Sequence, residues 1–274
     1  MSGYKYLFGP VPSRRLGASL GVSPIPERTC NYSCVYCQLG RTLRMTNTRQ
    51  EFFPLEEILT EFREYLQGSI PFDVVTVVGE GEPTLYSRLG ELIAGLKKET
   101  DKPVAVITNG ALLYDAEMRR ELMEADIVLP SLDAVTEEQY RKIDRPMGSI
   151  GFAEMAEGLR QFAREYQGQL WIEIMLVDGM NDSPEDIAAF KEFLGTIDYD
   201  RVYLNTPVRP PAEGFVHTSA PERIDLAARE LGGISIDQLT SGSFFSEVED
   251  PYEAILSIAR RHPMNQFEVE SFLE

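Results

Sequence analysis

All three cysteines of this 274-residue chain fall within one short run, Cys30-Asn31-Tyr32-Ser33-Cys34-Val35-Tyr36-Cys37. Three thiolates at this C-x3-C-x2-C spacing can hold a cubane iron-sulfur cluster while leaving its fourth iron without a protein ligand. A metal with an open position can bind and activate another molecule, so the run reads as catalytic rather than structural. Closed zinc and iron-sulfur sites recruit four ligands, and the two histidines, His217 and His262, stand far away in the chain. The competing readings are a zinc site completed by a distant His or Asp, a disulfide with one thiol left over, or three unrelated buried cysteines. The odd count, the absence of a long apolar run after Met1-Ser2-Gly3-Tyr4-Lys5 and a length that needs no covalent staples speak against disulfides. Unrelated buried cysteines would be scattered.

With Tyr36 between the last two cysteines, the run matches the C-x3-C-x-aromatic-C signature of the radical S-adenosylmethionine (radical SAM) superfamily. Three further segments carry the resemblance: Gly9-Pro10-Val11-Pro12-Ser13-Arg14-Arg15-Leu16-Gly17, Cys37-Gln38-Leu39-Gly40 and Val78-Gly79-Glu80-Gly81-Glu82-Pro83-Thr84-Leu85. The chain is similar, over about residues 9–245, to a branch of uncharacterised iron-sulfur oxidoreductases related to the wybutosine-synthesising tRNA enzymes. The resemblance implies a 4Fe-4S cluster on Cys30, Cys34 and Cys37, and S-adenosylmethionine chelated at the open iron through its amino and carboxylate groups. It also implies reductive cleavage to a 5'-deoxyadenosyl radical that takes hydrogen from substrate, and an external electron donor such as flavodoxin or ferredoxin. Three cysteines cannot ligate a second cluster, which separates the chain from the wybutosine enzymes.

The same resemblance assigns the other cofactor contacts. Gly81 and Glu82 take the methionine amino group, although Glu80 stands where the superfamily usually has a second glycine. Tyr36 packs near the cluster or the adenine, or only within its loop. Asn109 sits in a polar turn near the cofactor, or merely caps that turn. Ser131 and Asp133 face ribose or methionine, with a helix cap the alternative for Asp133. Val177, Asn181, Thr206 and Val208 support adenine and ribose. Glu173 and Met175 point into the barrel by strand alternation, and a buried Glu173 requires a partner. Arg14, Arg15, Arg145 and Arg209 belong to segments expected near the mouth, where guanidiniums could clamp an anionic substrate or the cofactor carboxylate. Ion pairs with surplus acids are the alternative for each. His217 and His262 receive no role.

The elements that must position these residues follow from periodicity. Short β-branched runs at 18–22, 74–78, 104–108, 127–130, 170–177 and 202–205 read as strands. Amphipathic stretches at 55–67, 88–99, 115–125, 151–166, 184–194 and 220–231 read as helices. Strand-helix alternation repeated in this way predicts an α/β fold, a partial (β/α)6 TIM-like barrel over residues 1–245, with a short C-terminal helical extension over 246–274. The extension reads as a lid or packing element. Ligands of such barrels gather at the carboxyl ends of the strands, where the cysteine loop would sit. No apolar stretch approaches a membrane span, and reduced thiols point to the cytoplasm. The balance of 44 acidic against 26 basic residues gives a net charge of -18, which repels polyanions and ranks RNA below small molecules and peptides as substrate. Modification of a tRNA base and a non-catalytic sensor of cluster and cofactor are the alternative functions.

Overall fold

In the computed structural model, which describes residues 4–68 and 70–236 with isolated positions beyond, the β-branched runs are strands and the amphipathic runs between them helices. The expected boundary at Phe245, the tail helices and His262 fall outside that continuous stretch. In chain order the elements begin with β1 (Leu7–Ser13), β2 (Gly17–Val22), β3 (Thr29–Cys30), β4 (Arg44–Met45), α1 (Leu55–Tyr65), β5 (Val74–Val77) and α2 (Leu89–Glu99). They continue with β6 (Val104–Thr108), α3 (Ala116–Leu122), β7 (Ile127–Pro130), α4 (Glu137–Ile143), α5 (Phe152–Glu165) and β8 (Gln169–Met175). Last come α6 (Pro184–Leu194), β9 (Arg201–Asn205), α7 (Pro221–Leu231) and β10 (Ile234–Ser235).

One sheet holds eight strands in the order β1-β2-β5-β6-β7-β8-β9-β10. The six strands from β2 to β9 in that order run parallel and form the expected α/β partial barrel. Two strands extend it: β10 lies parallel to β9, and β1 folds back antiparallel on β2. The Gly9-Pro10-Val11-Pro12 stretch hides β1 in the sequence, since proline reads as a strand breaker. An edge strand tolerates it, because one row of N–H groups has no ladder to join. Among the described residues the sheet order is linear, with β1 and β10 as its two end strands.

Alternation along each strand sorts side chains into two layers. Val104, Val106, Ile172, Ile174, Val202 and Leu204 face outward into the core shared with the helices. There α1 contributes Ile58, Leu59 and Phe62, whose i, i+1, i+4 spacing puts them on one face. Truncating the fully buried Phe62 to alanine would cost about 3–5 kcal/mol. Facing inward, Leu16, Val74, Ala105, Ile127, Leu129, Trp171 and Tyr203 fill the part of the lumen away from the mouth. Ser183 caps α6 in a reciprocal capping box with Asp186, and Pro184 occupies the first turn. The short α4 was not evident from periodicity, because only Tyr140 and Ile143 of its seven residues are buried. Among the described residues, no helix is long and apolar enough to cross a membrane.

The register aligns the strand ends. Val22 pairs with Val77, Thr108 with Pro130, and Met175 with Asn205. The loops after β2, β5, β6, β7, β8 and β9 therefore share one rim, and they carry the cysteines, Glu82, Asn109, Ser131, Asn181 and Thr206. The turn bearing Arg14 and Arg15 does not lie there. It joins β1 to β2 where Ser13 pairs with Gly17, at the amino ends of the parallel strands. The cavity nevertheless reaches them, since Pro12, Ser13 and Leu16 of the same turn also line it.

Candidate functional site

The cysteine loop is held from beneath by the end of α4. Helix termini leave carbonyls without intrahelical partners. Here Val35 N donates to Ile143 O at 2.9 Å and Ser33 N to Asp144 O at 3.1 Å. Tyr32 and Tyr140 join through their buried hydroxyls at 2.5 Å. The loop then coils on itself, with Cys37 N donating to Cys34 O at 3.1 Å and Gly40 N to Cys37 O at 3.0 Å. Gly40 adopts a φ of 85°, a left-handed conformation that glycine takes without a steric penalty.

Burial, then the Glu82 carboxylate, pushes the Cys30 thiol up to about 12. Burial and Asp144 push Cys34 well above the ordinary thiol range, and burial raises Cys37. Sulfurs in this setting stay protonated at neutral pH unless a cation joins them, and a bound metal reverses the preference. Tyr32 N and Asn109 Nδ2 also lie 3.3 and 3.6 Å from Cys30 Sγ, contacts of the kind that tune a cluster thiolate. Among the described residues, no three Cys, His, Asp or Glu side chains converge as the ligands of a single ion would. Three thiols on one loop are a donor set that fits an iron-sulfur cubane, which takes one thiolate per iron.

Around this loop stands a collar of buried carboxylates. Glu82 is raised by burial and opposed by four donors: Thr84 N at 3.0 Å, Thr84 Oγ1 at 2.6 Å, Thr108 Oγ1 at 2.6 Å and Asn109 N at 2.8 Å. Gly81 permits this, since a Cβ there would lie 1.8 Å from Thr29 O. Asp133 accepts from Met175 N at 2.7 Å and from the Tyr36 hydroxyl. Asn181 is fully buried, donating to Asp133 O and Met175 O at 2.8 Å each while its Oδ1 accepts from Val177 N at 2.7 Å. Asp144 lies 3.7 Å from Cys34 Sγ. Burial raises both Asp133 and Asp144.

Beside the collar a cavity of about 340 Å³ runs from Tyr36, Cys37 and Gln38 to Arg14, Arg15 and Arg209. Of the residues expected to touch cofactor, Tyr36, Thr206 and Val208 line it, while Gly81, Glu82, Asn109, Ser131, Asp133, Val177 and Asn181 do not. Glu173 and Met175 do point into it, and the partner of Glu173 is Arg15. Arg145 lies off the cavity. It donates to Glu213 at 2.5 Å, and with Arg41 at 2.8 Å it holds that carboxylate down at about 2, so the pair of arginines straps the loop after β9 to the cysteine loop. Glu213, Asp144 and Tyr140 carry no signal in the sequence, since each acts through a partner 68 to 172 residues away. Gln38 does carry one, its place directly after Cys37. His217 is exposed, as expected of a loop residue.

Residues 25–191 match the family model of the radical SAM superfamily. A UPF0026 protein of Methanocaldococcus jannaschii is 35% identical over 97% of this chain and 85% of its own length. A protein of Brachyspira hyodysenteriae named GTPase Obg is 43% identical over 75% of this chain, which spans only 30% of that longer protein. The crystal structure of a radical SAM methyltransferase from Sphaerobacter thermophilus shares the fold, with a TM-score of 0.60 at 18% identity over 80% of this chain and 68% of the other.

Proposed function

The chain belongs to the radical SAM superfamily, and from that premise we propose that it is an enzyme in which Cys30, Cys34 and Cys37 hold one 4Fe-4S cluster and the adjoining cavity binds S-adenosylmethionine with a small substrate. When bound and reduced by an external donor such as flavodoxin or ferredoxin, cluster and cofactor together supply a 5'-deoxyadenosyl radical that removes hydrogen from that substrate. The remaining work falls to this chain's own residues. Asn109 Nδ2 and Tyr32 N stabilise the Cys30 thiolate. Glu82, buried with four donors and, among the described residues, no cationic side chain in its hydrogen bonds or ion pairs, offers its charge to the cofactor's ammonium group. Tyr36, Thr206 and Val208 flank the cavity where adenosine would lie and exclude water from it. Residues 1–245 form the catalytic unit in this reading, with 246–274 a covering element.

The observation that supports it most is the set of three half-buried thiols on one loop, all raised by desolvation and two of them also by a neighbouring acid, a setting that a cationic centre would ionise. The test is anaerobic reconstitution with iron and sulfide, then dithionite and S-adenosylmethionine. Methionine and 5'-deoxyadenosine are expected as products, with both absent from Cys34→Ser. Cofactor binding without cleavage in the reduced, fully loaded protein would instead identify a sensor.

A further inference from the structure

Deepening that reading, and resting on it for the electron transfer though not for the binding, we propose that the exposed segment 41–45 beside the cysteine run is the docking face for a small acidic electron-carrier protein of the flavodoxin or ferredoxin kind. Its place in the fold is the first support. β4 pairs in parallel with β3, so that Met45 lies opposite Cys30 and Arg44 opposite Thr29. Thr46 N donates to Cys30 O at 3.1 Å, and Leu43 N to Arg28 O at 3.0 Å. The segment is therefore one hydrogen bond from a residue expected to hold an iron, a short way in for an electron, whose transfer slows steeply with distance. On the other side of the run Arg209 of the loop after β9 donates to Gln38 Oε1 at 2.9 Å and Glu213 N to Val35 O at 3.1 Å, ties that hold the face in one shape.

Charge is the second support. Residues 28–50 hold Arg28, Arg41, Arg44 and Arg49 and no acid, in a chain whose net charge is -18. Arg49 turns away to Glu121 and to the carbonyls of Thr84 and Tyr86. The other three stand at the surface with Arg145, and their pairing leaves an excess. Glu27 takes Arg28, and Arg41 and Arg145 share the single carboxylate of Glu213. Arg44 meets the Gln50 amide and the face of Phe52, and among the described residues no carboxylate pairs with it. Four guanidiniums here meet two acids. Charges at the rim of an interface act on the approach of a partner more than on the final contact, and within a Debye length of about 8 Å a local patch outweighs the charge of the whole chain.

Apolar side chains stand among these arginines. Leu43 is 68% exposed and Met45 40%, while Phe215, 56% exposed, lies beside Arg145 with 6.0 Å between guanidinium and ring centre. Electron carriers form weak, short-lived complexes over small interfaces, in which a few apolar groups make contact and surrounding charges steer. Leucine and methionine between the arginines suit a folded protein with acids on one face. A phosphate backbone would leave them idle, and the charge of the whole chain repels a polyanion. In the docked pair the carrier gives up one electron and the iron-sulfur centre gains it, with no bond made or broken.

The test uses the full chain reconstituted with iron and sulfide, and drives cleavage of S-adenosylmethionine either with a reduced flavodoxin or 2Fe-2S ferredoxin or with dithionite, a small reductant that needs no docking face. The variants are Arg44→Glu and Leu43→Gln. Arg63→Glu, in the last turn of α1, is the control with the same change of charge. Dithionite-driven cleavage should be the same in wild type and all variants. With at least one carrier, cleavage should fall about tenfold in Arg44→Glu at low salt, and the gap should close at high salt. The half-saturating carrier concentration should rise about fivefold in Leu43→Gln at either salt. Carrier-driven rates equal to wild type in both variants overturn the proposal. So does a loss that dithionite shares, which places these residues in the site itself. Binding of tRNA at physiological salt that Arg44→Glu abolishes gives the face to RNA, and self-association in sedimentation that Leu43→Gln abolishes gives it to a second copy; either overturns the proposal. Where dithionite yields no cleavage in wild type, the radical reading fails alone, and calorimetry with the carriers decides the docking face. Binding to wild type and Arg63→Glu that is about tenfold weaker in Arg44→Glu upholds it, and absent or indifferent binding overturns it.

Discussion

The collar around the cysteines and the lumen beside it handle buried charge in opposite ways. In the collar, Glu82 and Asp133 are buried acids, and backbone and hydroxyl donors of their own neighbourhood surround them. In the lumen Arg14, Arg15 and Arg209 stand with Glu80 and Glu173, and the donors belong to long side chains from the two ends of the barrel. The collar is thus part of the fold: its acids hold strand-end loops together, and their charge is a by-product that a cation can use. The lumen instead is walled by long side chains of both signs that meet across the barrel.

The difference predicts how variants should fail. The largest effect is expected for Cys34→Ser, which should lose its iron on reconstitution and with it all cofactor cleavage, measured by iron and sulfide content and by 5'-deoxyadenosine. Next comes Glu82→Ala, which leaves buried donors on Thr84, Thr108 and Asn109 without an acceptor. At about 1–3 kcal/mol for each such group, a loss of about 3–5 kcal/mol is expected in urea denaturation of the metal-free protein. A loss below about 1 kcal/mol would mean the collar does not hold the fold, and the contrast would break. Gly81→Ala forces a methyl group against Thr29 O, one residue before Cys30, and should cost about 2–3 kcal/mol with poorer iron retention.

The smallest effect is expected at Glu213. Arg41 and Arg145 depress its folded pKa to about 2, below the usual carboxylate range, so its contribution is complete above about pH 4.5 and fades as pH falls towards 2. Acid denaturation of Glu213→Gln should therefore converge with wild type across that window and differ only above it.

What could be read in advance follows the range of the forces involved. Val104–Thr108, Ile127–Pro130 and Pro184–Leu194 begin and end where the sequence indicates, because β-branched runs and a capping box act locally. The edge strand β1 and the seven-residue α4 were not legible, one masked by proline and the other too short to show a period. At the site, residue type and spacing single out the cysteines and the Gly81-Glu82 turn. They also single out four arginines without separating them. Arg145 and Arg209 look alike on paper, yet Glu213 claims the first and the cavity receives the second. That choice is made by partners distant in sequence, whose positions only the assembled barrel fixes.

The hydrogen bond from Arg209 to Gln38 joins the two regions by a single residue, since Gln38 follows Cys37 directly. That one bond sets the loop after β9 against the residue that follows the cysteine run, so a shift at Arg209 is felt first at Gln38.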